Sequence, residues 1–172
     1  MRRVIAAFLV GAAAAHVQAQ DASLEYQVKA AYLYNFVKFI EWPETARTGP
    51  LTICTAGGNP FGAALDDIVR GESIDGRPIA ARTIEASQPG CDVVFVPRGV
   101  VAAEYLRAAR AAPVLTVGES PDFIAQGGIV NFVLDAGMIR FEIDRDAAGR
   151  AGLQISSRLL RLAREPERRG RR

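Results

Sequence analysis

Between residues 24 and 42 apolar side chains recur in two adjacent stripes. Leu24, Val28, Tyr32, Phe36 and Ile40 repeat at i+4, and Ala30, Leu33 and Val37 run beside them. This spacing predicts a long helix with Ser23 as its N-cap, stopped after Trp42 by Pro43. A helix apolar on two sides is sandwiched in a domain or shows one side to a partner. The β-rich run 51–56 follows between Gly49-Pro50 and Gly57-Gly58, then a helix over 61–69 and a strand over 78–84. Residues 92–96 are almost wholly apolar, as in a buried parallel strand. Next come an Ala-rich helix over 100–111, a strand over 113–117 and a short helix over 121–126 closed by Gly127-Gly128.

The strongest strand signals are 129–134 and 138–143, separated by Asp135-Ala136-Gly137, which predicts an antiparallel hairpin. Asp144 or Asp146 caps a last helix running to about residue 163, with Leu153, Ile155, Leu159, Leu160 and Leu162 in its stripe. The order α-β-α-β-β-α-β-α-β-β-α describes a single-domain α/β sandwich. It has a mostly parallel sheet, a long N-terminal helix and a late antiparallel hairpin.

The first nineteen residues read differently. Arg2 and Arg3, the apolar run 4–15 and the small residues Val17 and Ala19 make an export signal, with cleavage expected after Ala19. The run is too short for a membrane span. The chain then divides into a signal over 1–19, a domain over 20–163 and a basic disordered tail over 164–172.

This division changes the charge balance. The whole chain has 21 basic and 19 acidic residues, a formal net charge of +2. The positive excess sits in the signal and the tail, so the body is net acidic and a nucleic-acid role is excluded. The only histidine, His16, lies in the signal. The exported domain therefore lacks Ser-His-Asp and Cys-His nucleophile systems and every His-containing metal site. No cofactor motif is present.

The remaining chemistry is sparse. Gly57-Gly58-Asn59-Pro60-Phe61-Gly62 lies between a strand and a helix, where backbone N–H groups cradle an anion or simply close a tight turn. Its spacing matches no phosphate-loop fingerprint. Asp66-Asp67 point in different directions on a helix, and Glu142, Asp144 and Asp146 suit a helix start, so no acid/base pair is set. Ser156-Ser157 have no base. Six aromatic residues between Tyr26 and Trp42 form either core or a stacking surface for a ligand.

Cys54 and Cys91 are the only cysteines. They form either a disulfide, worth roughly 3–4 kcal/mol, or two separate buried thiols. Two distant cysteines are too few for a metal. If their strands are parallel neighbours, the two are offset by up to about 10 Å, whereas a bridge needs Cα atoms within roughly 7 Å.

Whole segments also resemble a known family. Residues 26–43, with Tyr26-Gln-Val-Lys-Ala-Ala-Tyr-Leu-Tyr-Asn-Phe-Val-Lys-Phe-Ile-Glu-Trp-Pro43, are similar to the N-terminal signature of the YfiR family. Leu51-Thr-Ile-Cys54, Asn59-Pro-Phe-Gly62, Gly90-Cys-Asp-Val-Val-Phe-Val96, Val114-Leu-Thr-Val117, the run 123–132 and Ile139-Arg-Phe-Glu-Ile143 match in order. The run 151–163 resembles the closing segment. The resemblance implies a periplasmic, non-enzymatic repressor of an inner-membrane diguanylate cyclase, acting on its periplasmic sensor region and controlling cyclic di-GMP and biofilm formation. The periplasmic domain of a sensor kinase is the alternative partner. It further implies sequestration by an outer-membrane lipoprotein, homodimers and disulfide-dependent stability. Two departures stand out. A second cysteine pair is missing from residues 126–141, and Asp144-Arg145 replace Asn and an apolar residue.

The expected partner surface is the turn and helix over 144–158, with Asp144, Arg145, Arg150 and Arg158, together with Asn35 and Lys38 on the first helix. Two other readings compete. One is a small-molecule sensor using the aromatic helix and the 57–62 loop; the other is a hydrolase working with carboxylates alone.

Overall fold

The structure, a computed structural model, describes residues 10–43, 49–110 and 112–166. Its elements are α1 (Val10–Lys38), β1 (Ile40–Glu41), β2 (Leu51–Ala56), α2 (Ala64–Val69), β3 (Ser73–Ile74), β4 (Arg77–Ile84) and β5 (Val93–Val96). Then follow α3 (Ala102–Ala109), β6 (Leu115–Gly118), β7 (Val130–Asp135), β8 (Met138–Ile143), α4 (Arg145–Arg150), β9 (Gln154–Ile155) and α5 (Ser157–Leu160). Seven strands form one sheet in the order β3-β4-β2-β5-β6-β7-β8, and β1 pairs with β9 in a small antiparallel sheet. Strands β4, β2, β5, β6 and β7 are parallel, and β3 and β8 close the edges antiparallel. The predicted single-domain α/β class and the mostly parallel sheet are both present.

Alternation along the strands sorts the core into two layers. Ile53, Val93, Phe95, Leu115, Val117, Val130 and Phe132 face a cluster with α1, α2 and α4. Cys54, Val94 and Val96 face the opposite way, under α3. The β7–β8 hairpin turns through Ala136 and Gly137, with φ of 48° and 78°, the primed geometry that suits a two-residue loop. Segment 119–128 is anchored by Phe123. A Cβ on Gly118 or Gly128 would stand 2.3 and 2.2 Å from ring carbons of Phe123, so both positions exclude any other residue.

Several predicted boundaries are corrected. The first helix ends at Lys38, because residues 40–41 leave it to pair with β9; at the other end it runs through Ser23, which is no cap. Half of the predicted export signal, residues 1–9, lies outside the described residues, and 10–19 are helical without a break into the domain. Residues 60–63 are turns, so α2 starts only at Ala64. Residues 121–126 are turns too, since Gly128 N–H bonds the Phe123 carbonyl at 2.9 Å and closes the loop early. The single last helix over 144–163 is two short helices separated by β9; Gly152, at φ 73°, reverses the chain between them. Arg164, assigned to the tail, bridges to Glu142 on β8 and its guanidinium lies 3.6 Å from Asp135. Residues 167–172 of that tail lie outside the described residues.

Candidate functional site

The carboxyl ends of the parallel strands, where open α/β sheets commonly take ligands, are filled by the protein itself. Glu119, just after β6, is 4% exposed and receives three donors. The Arg98 backbone N–H donates to Oε1 at 2.6 Å, the Tyr26 hydroxyl donates to the same oxygen at 2.8 Å, and the Lys29 ammonium pairs with Oε2. Lys29 also reaches Glu25 one helical turn away. Burial alone would raise the Glu119 carboxyl; the Arg98 N–H, Lys29 and Tyr26 outweigh it and hold it below the usual carboxylate range. The Tyr26 hydroxyl is raised, by burial first and then by the carboxylate it donates to. This is a closed structural lock. Its pairing leaves no mark in the sequence: nothing near Lys29 or Glu119 points to a partner 90 positions away. The one signal is Glu119 itself, an acid directly after the short strand run Leu115-Thr-Val-Gly118.

The 57–62 loop next to this lock is a self-closed turn. Asn59 Nδ2 donates to the Gly62 carbonyl at 2.8 Å, and Asn59 Oδ1 accepts from Phe61 N–H at 3.1 Å. The aromatic residues of α1 are largely core. Phe36 stacks on Phe132 at 5.6 Å and meets Phe141 at 5.0 Å, and Tyr32 packs on the same rings.

Cys54 and Cys91 are bonded, with Cα atoms 5.8 Å apart. Cys54 lies opposite Val94 on β5, three residues beyond Cys91, so the expected offset exists along the ladder. The bridge closes because Cys91 precedes β5. Asp92 N–H bonds the Thr52 carbonyl at 2.9 Å, and the Asp92 carboxylate accepts from Thr52 N–H at 2.8 Å, which holds the lead-in beside β2.

The residues expected to meet a partner come together through the small sheet. Ser156 N–H bonds the Phe39 carbonyl at 2.9 Å, joining the end of α1 to the segment α4–β9–α5. Asn35 and Lys38 are exposed at that end of α1, and Lys38 Nζ stands 3.9 Å over the Tyr34 ring. Asp144 caps α4, accepting from Ala147 N–H at 2.9 Å, so its role is local. Arg145, Arg150 and Arg158 are exposed, and among the described residues none makes an ion pair. Between α4, β9 and α5 lies a cleft of about 150 Å³ with Arg145, Ala148, Gly149, Leu153, Ile155 and Leu160 on its walls. It has room for one large apolar side chain beside the positive charge of Arg145.

The YfiR/HmsC-like family model matches residues 26–164, nearly the whole described domain. The chain belongs to the YfiR/HmsC-like family. This is a regulatory family, not a catalytic one. No protein of curated function is similar enough to count as a relative. The Cys54–Cys91 bond of this YfiR/HmsC-like chain fits an oxidising compartment. Among the described residues no helix is long and apolar enough to cross a membrane.

Proposed function

We propose that this chain is a non-enzymatic periplasmic regulator that represses an inner-membrane diguanylate cyclase by binding its periplasmic sensor region. The observation that carries the reading is the family match over residues 26–164. The cleft of α4–β9–α5, with Arg145 on its wall and Arg158 exposed on α5, is the proposed contact. A desolvated apolar anchor ringed by complementary charge is how such interfaces concentrate their affinity. The partner segment is therefore acidic, with one exposed large apolar side chain. The same surface would serve an outer-membrane lipoprotein that sequesters the regulator.

The test is genetic and biochemical together. Deleting the gene raises cyclic di-GMP, and supplying the wild-type chain restores it. Supplying the double variant Arg145→Glu with Arg158→Glu does not restore it, although the protein accumulates normally. A deletion that leaves cyclic di-GMP unchanged would falsify the cyclase reading.

A further inference from the structure

A second cavity, of about 380 Å³, opens where α3 and α4 meet around the starting ends of β6 and β7. Leu106, Ala109, Val114, Ile129, Ala147 and Ala151 make its apolar walls. Its charged side chains are all positive. Arg110 and Arg150 stand on the wall, no carboxylate does, and among the described residues neither arginine has an ion-pair or hydrogen-bond partner for its side chain. The Arg110 guanidinium is exposed and lies near Gly127, where an added Cβ would stand 3.6 Å from its Nη2. Thr116, 2% exposed, accepts at Oγ1 from Ile129 N–H at 3.1 Å, and its own hydroxyl hydrogen has no acceptor among the described residues.

An apolar chamber with two unpaired guanidinium groups and one spare buried donor is complementary to a small anion with an apolar body. The size falls within the roughly 300–1,000 Å³ of small-molecule sites. Guanidinium forks favour planar, bidentate oxyanions, and a carboxylate is the planar one that leaves room for an apolar remainder. We propose that this cavity binds a small organic monocarboxylate, its carboxylate on Arg110 and Arg150 and its apolar part against Leu106, Val114 and Ile129. Binding requires nothing of the proposed regulatory role. One consequence rests on that role: α4 walls both chambers, with Ala147, Arg150 and Ala151 on this one and Arg145, Ala148 and Gly149 on the partner cleft. A ligand that fixes α4 would therefore act on the partner surface.

Calorimetric titration of the purified chain tests the site with 3-phenylpropionate and octanoate as probes. Their uncharged amides and inorganic phosphate are the controls. One carboxylate binds saturably at one site, its amide binds at least tenfold more weakly, and phosphate competes poorly. Arg110→Gln and Arg150→Gln each weaken binding about tenfold with unchanged circular dichroism, and Arg158→Gln, in the partner segment, leaves it alone. Equal affinity for acid and amide overturns the proposal, as does binding indifferent to both arginine substitutions. Absence of heat from both probes at millimolar concentration, with a folded chain, overturns it too. None of these outcomes depends on a cyclase, so failure here and failure of the regulatory reading are separable.

Discussion

The two faces of the sheet are built on different principles. Under α1 the layer is dense: Phe36, Phe95, Phe132 and Phe141 interlock with Tyr32 and Phe61, and the Lys29–Glu119 lock seals the end. Under α3 the covering helix has eight residues, its buried side chains are Ala102, Tyr105, Leu106 and Ala109, and the layer ends in the 380 Å³ cavity. A disulfide crosses this second layer and not the first. The lesson is a division of labour. Packing and a buried ion pair rigidify one side, while a covalent staple lets the other keep open space.

The largest expected effect tests the lock. Lys29→Met leaves the Glu119 carboxylate buried with Tyr26 and Arg98 N–H but no cation. Breaking a buried pair in this way costs roughly 3–5 kcal/mol. The pH dependence separates this from lost packing. In the wild type Glu119 is lowered on folding, so its contribution is present above the ordinary glutamate value and is lost as pH falls through the folded one. The variant loses only the part that Lys29 supplies to the charged carboxylate: the deficit is greatest at neutral pH and shrinks as acid protonates Glu119. Urea melts at neutral and acid pH read both, and a pH-independent deficit would contradict the lock.

Next in size is the staple. Replacing Cys54 and Cys91 together by alanine costs roughly 3–4 kcal/mol on the loop-closure account for a separation of 37 residues. If the staple serves the open face in particular, hydrogen exchange should rise most in α3 and the start of β5. Amides of α1 and β7 should keep their relative protection. Uniform loss across both faces would mean the bond acts only on the unfolded chain, and the comparison would weaken.

Much of this division could be read from the residues beforehand, and some could not. The hairpin was legible because the turn 135–137 and the alternation of 138–143 are local signals. The buried central strand was legible in its apolar run. The last segment was misread as one helix because Leu153, Ile155, Leu159 and Leu160 happen to fit a helical stripe, whereas Gly152 and the pairing of Ile155 with Ile40 break it. That pairing joins residues 115 positions apart and leaves no local mark. The same holds for the cavity: Arg110 and Arg150 come from two helices on opposite layers, and only the fold makes them neighbours. The disulfide was named from the sequence, but its feasibility hung on whether Cys91 lay in or before its strand.

The smallest effect is the most discriminating. Ala30 and Ala109 are alanines on helices, one on each face, and both are buried. Ala30 is 0% exposed against the aromatic layer, whereas Ala109 borders the cavity. Adding three carbons to each asks whether the neighbours must move. At Ala30 they must, so Ala30→Leu should cost about 1–3 kcal/mol by overpacking. At Ala109 the new side chain has empty space to enter and gains contacts with Leu106 and Val114. Helix propensity barely differs between alanine and leucine, so it does not confound the pair. Ala109→Leu should therefore change stability by less than about 1 kcal/mol, in either direction. Thermal melts of the two variants side by side decide it. Equal, large losses would mean the chamber under α3 is filled by moving side chains in solution, and the contrast between a packed face and an open one would fail.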